Sequence, residues 1–133
     1  MGREVFFPNP NRKPSGYSPA SRVDKVVHLS GQVGLDNNGV LVGEGNCKAQ
    51  AEQCFKNLEA ALKAAGGEMD DLVKVTCFLV NVSDYEAYAS VRQKLFPSSG
   101  PASSTVVIKA LVKPEFLIEI EGVAVLQQPF GAA

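Results

Sequence analysis

Hydrophobic positions change their period several times along the chain, and each change marks an element. Between Arg22 and Gly31 the run Val26-Val27-His28-Leu29 has the character of a strand. Asp36-Asn37-Asn38-Gly39 follows, placing asparagines and a glycine where a hairpin turn needs positive φ, and Val40-Leu41-Val42 is expected to pair back. From Cys47 the period lengthens. Cys47, Ala51, Cys54, Phe55, Leu58, Ala61, Leu62 and Ala65 recur at steps of three and four, the stripe of an amphipathic helix, with Asn46 suited to its N-cap and Gly66 to its C′ position. Leu72 to Val80 is β-branched and strand-like. Ser83-Asp84-Tyr85-Glu86 reads as the capping box of a second helix, which Pro97 stops. Strands are expected from Ser104 to Leu111 and from Phe116 to Leu126, on either side of a turn at Lys113-Pro114-Glu115. Ahead of all this, a short strand at Glu4 to Phe7 leads into a loop through Pro8, Pro10 and Pro14.

The pattern is that of one α+β domain over residues 1–133, with an N-terminal segment to residue 15 and a frayed tail at 127–133. Its last strand carries the most information. Side chains alternate across a sheet, so Ile118, Ile120, Gly122 and Ala124 share one face, suited to packing under helices. Glu119, Glu121, Val123 and Val125 share the other, half apolar and half ionised. Either another copy of the chain covers that face, giving a homo-oligomer with Glu119 or Glu121 near the interface, or both glutamates are simply solvated.

Composition removes several classes of function. Thirteen basic and 14 acidic residues are scattered along the chain for a net charge of -1, without the basic stripe that a nucleic acid or a membrane surface would need. No apolar run approaches the roughly 20 residues of a membrane span, and Met1-Gly2-Arg3-Glu4 lacks the apolar core of a secretion signal, so the expected location is cytoplasmic. Cys47, Cys54 and Cys77 match neither a zinc spacing nor a C-x-x-C pair and are read as reduced core thiols. The lone His28, within a strand, is a poor start for a metal site.

Several stretches together resemble the Rid (reactive intermediate deaminase, YjgF-like, endoribonuclease L-PSP) family, in the same order. They are Gly16-Tyr17-Ser18-Pro19-Ala20, Leu29-Ser30-Gly31-Gln32, Leu62-Lys63-Ala64-Ala65-Gly66-Gly67, Val73 to Leu79, Pro101-Ala102 and Ile118-Glu119-Ile120-Glu121-Gly122-Val123-Ala124-Val125. The match runs from about Tyr17 to Leu126. It implies a chorismate-mutase-like fold with two helices on one sheet face, a homotrimer with an inner barrel, small-molecule sites in the intersubunit clefts, and hydrolysis of imines and enamines. It implies no metal or organic cofactor.

By that resemblance Glu119 is the catalytic residue, positioning a water, and Tyr17, Ser30 and Gly31 line the cleft. The chain departs from the family at two points. Deaminating members carry an arginine after Pro-Ala that grips the substrate carboxylate, and here Ser103 stands there, in Pro101-Ala102-Ser103-Ser104-Thr105; a site-facing asparagine is replaced by Ala89. Exchanging a bidentate guanidinium for a hydroxyl removes about 1.5–3 kcal/mol of charge-assisted hydrogen bonding, so simple 2-iminoacids are expected to bind poorly. Arg92, one helical turn beyond Ala89, is a candidate to return a guanidinium to the same face. Ser103 and Ser104 are hydrogen-bond donors rather than nucleophiles, since the only histidine is distant in sequence. Two readings remain: a deaminase-type hydrolase with non-standard recognition, of a 2-aminomuconate-like catabolite for example, or a non-catalytic trimer binding a metabolite or a protein.

Overall fold

The computed structural model describes residues 2–127, so all of the expected frayed tail except Gln127 lies outside the described residues. Six strands and two helices follow one another as β1 (Glu4–Phe6), β2 (Ala20–Val23), β3 (Val26–Gln32), α1 (Cys47–Ala64), β4 (Leu72–Leu79), α2 (Tyr85–Leu95), β5 (Ala102–Val107) and β6 (Ile118–Val125), with single 3₁₀ turns at Met69–Asp71 and Val82–Asp84. They form one mixed sheet in the order β1-β2-β3-β6-β4-β5. Every neighbouring pair is antiparallel except β4 and β5, which α2 joins as a crossover.

Both helices cover the same sheet face. The stripe read from the sequence is the buried side of α1, where Ala51, Cys54, Leu58, Ala61 and Leu62 lose all access to solvent against Ile118, Ile120 and Ala124 of β6. Asn46 caps α1 as expected, its Oδ1 accepting from Ala49 N at 3.1 Å, and Gly66 takes φ 93° just past the helix. The alternation along β6 also holds: Ile118, Ile120, Gly122 and Ala124 are buried, whereas Glu121 and Val125 are exposed and Glu119 and Val123 half-buried.

Several element expectations are corrected. The strand expected from Arg22 to Gly31 is a hairpin, broken at Asp24-Lys25, where Asp24 takes φ 52° and Val23 pairs with Val26; aspartate tolerates that region well enough to turn a chain without glycine. Arg22 lies on the covered side, donating to Ala65 O at 2.6 Å and so closing the C-terminal end of α1. Val40–Val42 forms no strand. The turn before it folds on Asp36, whose carboxylate accepts from Asn38 N and Val40 N, and only Leu35 and Leu41 bridge. No capping box opens α2, because Val82–Asp84 winds into a 3₁₀ turn and leaves Asp84 in helical geometry with no side-chain cap. That motif forms instead between Glu68 and Asp71. Finally, β5 starts two residues earlier than expected and stops at Val107, the last partner that Leu79 offers, and β6 begins at Ile118 rather than Phe116.

Candidate functional site

The centre of the sheet carries the first group of residues. Leu29 pairs with Gly122 and Gln32 with Ile120, so Ser30 and Gly31 together face Glu121, and β3 bulges there. The bulge brings Gly31 under the neighbouring side chain: a Cβ on Gly31 would lie 2.5 Å from Glu119 Oε2. A glycine is thus what lets the carboxylate lie against the β3 backbone. Ser30 donates its hydroxyl to Ser18 O at 2.6 Å and its N–H to Pro19 O at 2.9 Å, fastening the segment that presents Tyr17. Tyr17 and Gly31 line one cavity of about 400 Å³ with Arg12, Lys13 and Asn57. Burial raises the pKa of Glu119, and the neighbouring charge of Glu121 adds to the shift.

Ties from α1 place this group. Gln50, fully buried, donates to Gly43 O at 3.0 Å and Glu115 O at 3.3 Å and accepts from Leu117 N at 2.9 Å, which fixes the entry into β6 two residues ahead of Glu119. Asn57 donates to Val33 O and Leu35 O and so pins the chain leaving the bulge. Neither residue stands out in the sequence, since each is a polar side chain in a helix whose partners are distant backbone groups.

The second group sits at the sheet edge. Ser103 pairs with Val75, which is buried beneath the helices, so Ser103 points to the helix-covered side and not to the open face that Glu119 occupies. Two strands and three register positions also separate the two residues, roughly 10 Å in each direction. Within one chain, therefore, Ser103 and Glu119 do not share a face. Ser104 points the other way and accepts from Lys74 Nζ at 2.7 Å.

Ser103 does share a cavity with Arg92. The space, about 270 Å³, is lined by Ala89, Arg92, Gln93, Phe96, Gly100, Pro101 and Ser103. Arg92 donates to Tyr85 OH at 3.2 Å and lies over the Tyr88 ring at 5.2 Å, contacts that favour its charged form. Behind both stands Tyr88, stacked on Phe55 at 6.3 Å and fully buried. Its hydroxyl is turned toward Ser103 and Arg92, which favour its ionised form, but burial outweighs them and raises its pKa, and the hydroxyl completes no hydrogen bond. Sequence reasoning missed Tyr85 and Tyr88; the spacing Tyr85, Tyr88, Arg92 along one helix face was the available signal.

The three cysteines are free and buried, with burial pushing the Cys47 and Cys77 thiols up to about 12 and Cys54 well above its usual value. His28 is exposed on the open face beside Val123. Among the described residues no cluster of three or more histidine, cysteine or acidic side chains is arranged to hold a metal ion, and no helix is long and apolar enough to cross a membrane.

This sheet, with its bulge at Ser30-Gly31 and its covered face, is that of a known class of α+β protein. The chain belongs to the endoribonuclease L-PSP family, the Rid family of the sequence resemblance, whose model matches residues 11–126. It is 37% identical over 111 residues to a 2-iminobutanoate/2-iminopropanoate deaminase of Dermatophagoides farinae, covering 84% of this chain and 86% of that protein. It is 35% identical over 125 residues to the 3-aminoacrylate deaminase RutC of Acinetobacter baylyi, covering 93% and 98%. The crystal structure of RidA from the Antarctic bacterium Psychrobacter sp. PAMC 21119 superposes with a TM-score of 0.82 at 32% identity, covering 92% of this chain and 99% of that one. Relatives named as 2-iminobutanoate/2-iminopropanoate and 3-aminoacrylate deaminases support a deaminase-type function at family level.

Proposed function

We propose that this chain is a deaminase-type hydrolase of a small imine or enamine, working in the cytoplasm as a homotrimer whose clefts combine residues of two copies. The observation that carries the reading is the Glu119 carboxylate lying against Gly31 beside the Tyr17 cavity, with its pKa raised by burial. Hydrolysis of an imine asks for little more. Glu119 accepts a proton from a water as its oxygen bonds to the imine carbon, and the nitrogen takes up a proton to give a carbinolamine. A further proton passes to that nitrogen, the C–N bond breaks, the hydroxyl loses its proton, and the products are a carbonyl compound and ammonia. Tyr17, Ser30 and Gly31 shape the cleft around the reacting carbon.

Glu119 and Ser103 occupy opposite faces of one chain, so a ligand small enough for either group meets both only if a second copy brings its β5 edge to the Glu119 side. The half-apolar open face, with Val123 and Val125 beside Glu119 and Glu121, supplies surface for such assembly. The nuclease in the family's description finds no support in the charge pattern, which offers no basic stripe to a phosphate backbone.

A second reading, a non-catalytic binding trimer, draws on Ser103 and Ala89 at positions where the family's deaminating members bear polar groups. One assay separates the two. With 2-iminopropionate generated in situ by a serine dehydratase, the unmodified protein should speed loss of the imine weakly and Ser103→Arg strongly. Glu119→Gln in the Ser103→Arg background should remove roughly 10²–10⁴-fold of the rate. Silence of all three proteins, with folding intact, would leave the binding reading in place of the enzyme.

A further inference from the structure

We infer that the cavity between α2 and the start of β5 is a carboxylate site of its own design, formed by Arg92 and Ser103 with Tyr88 behind them, and that it selects substrates whose carboxylate lies several bonds from the C=N carbon. This rests on the imine-hydrolase reading for the reaction, but the site itself is argued from its own side chains.

Three observations converge. Arg92 presents a guanidinium to the cavity, and among the described residues the only ion pair is Lys63 with Glu59, so no carboxylate of the described chain neutralises it. Ser103 lines the same cavity from β5. Tyr88, with no exposed surface, has a hydroxyl without a hydrogen-bond partner, although Ser103 and Arg92 flank it. An orphaned buried hydroxyl is unusual enough in a folded protein to call for an explanation.

A bound carboxylate supplies one. A serine hydroxyl has one proton to give and lone pairs to receive. When Ser103 donates to a carboxylate oxygen, its lone pair is directed back to accept from Tyr88, while Arg92 donates to the other oxygen. Tyr88 is then a positioning residue that acts through Ser103, and the arrangement is complete only when the anion is present.

The position of the cation sets the preference. A guanidinium at residue 103 would grow from the strand itself. Arg92 instead stands on α2, held toward the helix by the hydroxyl of Tyr85 at 3.2 Å and by the rings of Tyr85 and Tyr88 at 5.7 and 5.2 Å. The anion is thereby drawn back from the strand into a space of about 270 Å³, which holds a carboxylate together with the short carbon chain that carries it.

The test uses stable oxo compounds in place of the labile imines: 4-oxopentanoate, its methyl ester, and pyruvate, titrated by calorimetry against the full chain. The oxo acid should bind at least ~10-fold more tightly than the ester, as expected for a hydrogen bond to a charged group, and more tightly than pyruvate. Arg92→Ala should erase the acid-over-ester preference, and Arg92→Lys should restore part of it. Tyr88→Phe keeps the ring on Phe55 while removing the orphaned hydroxyl. It should raise the melting temperature by a few degrees, about the effect of 1 kcal/mol in a domain of this size, yet weaken the oxo acid several-fold. A purely structural tyrosine would not move these two quantities in opposite directions. The proposal is overturned if Arg92→Ala leaves the acid-to-ester ratio unchanged, or if pyruvate binds as tightly as the longer acid. Glu119→Gln should retain all of this binding while losing hydrolysis, so loss of the enzymatic reading and loss of the carboxylate site register in different measurements.

Discussion

The centre of the sheet and its β5 edge are built to different standards. At the centre, β6 is hydrogen-bonded on both sides, to β3 and β4, and Gln50 fixes its entry through three hydrogen bonds. At the edge, β5 is bonded on one side only, and Ser103, Ser104, Val106 and Val107 are all exposed. Glu119, the catalytic residue by the resemblance, and Gly31, which lines the cleft, lie at the doubly paired centre. Ser103, where the resemblance implies a departure from the deaminating members, lies at the singly paired edge. A sheet edge accepts a change of side chain that a doubly paired strand resists, so recognition can be rewritten without disturbing the carboxylate.

The contrast can be broken most forcefully by truncation. Ile120→Ala at the centre should cost about 2–5 kcal/mol, whereas Val106→Ala at the edge should cost well under 1 kcal/mol, both read from urea midpoints. Equal losses would mean that the edge is as well buried as the centre in the working assembly. Next in size is Gln50→Leu, which strands the N–H of Leu117 and two carbonyls, for about 2–3 kcal/mol. It should also depress imine turnover more than substrate affinity, because it loosens the start of the strand that carries Glu119.

The smallest effect concerns pH. The Glu119 pKa is raised by burial and then by Glu121, so the native state binds its proton more tightly than the unfolded chain does. The stability linked to this group is present below the unfolded value near 4.5 and is lost as pH rises through the higher folded value. Glu119→Gln should therefore flatten that decline in a series of melts across the mildly acidic range, with little change below it. An unchanged slope would mean that Glu119 is as well hydrated as a surface glutamate.

Elements with long, regular periods were legible in the sequence. The stripe from Cys47 to Ala65 and the alternation from Ile118 to Val125 each state which side is buried, and both hold in the structure. Junctions were less legible, because they depend on one residue's conformation. Asp24 at φ 52° turns a strand into a hairpin with no glycine to announce it, and the Val82–Asp84 turn displaces a capping motif that composition alone supported. For the site, Glu119 and Gly31 were named from the motif, but their contact depends on a bulge that the sequence does not display. The face that Ser103 takes follows from its pairing with Val75, in a strand that starts two residues before the expected one. Tyr88 escaped notice for a different reason: an aromatic residue on a helix stripe reads as core, and its packing on Phe55 is indeed core. Only its unpaired hydroxyl sets it apart.

The place of β6 between β3 and β4 also bears on how the molecule is made. Its residues come last among the elements, yet they join the two parts of the sheet, β1-β2-β3 and β4-β5, which have no strand pairing between them until β6 arrives. A ribosome that has delivered everything up to Leu117 has therefore produced two ribbons with open edges and a helix stripe lacking Ile118 and Ile120. Closing the sheet requires Val26 to find Val125, about a hundred residues away, a non-local step of the kind that slows folding. Chains stalled or cut just before β6 should be recognised by chaperones and proteases as unfinished, however complete their earlier elements are.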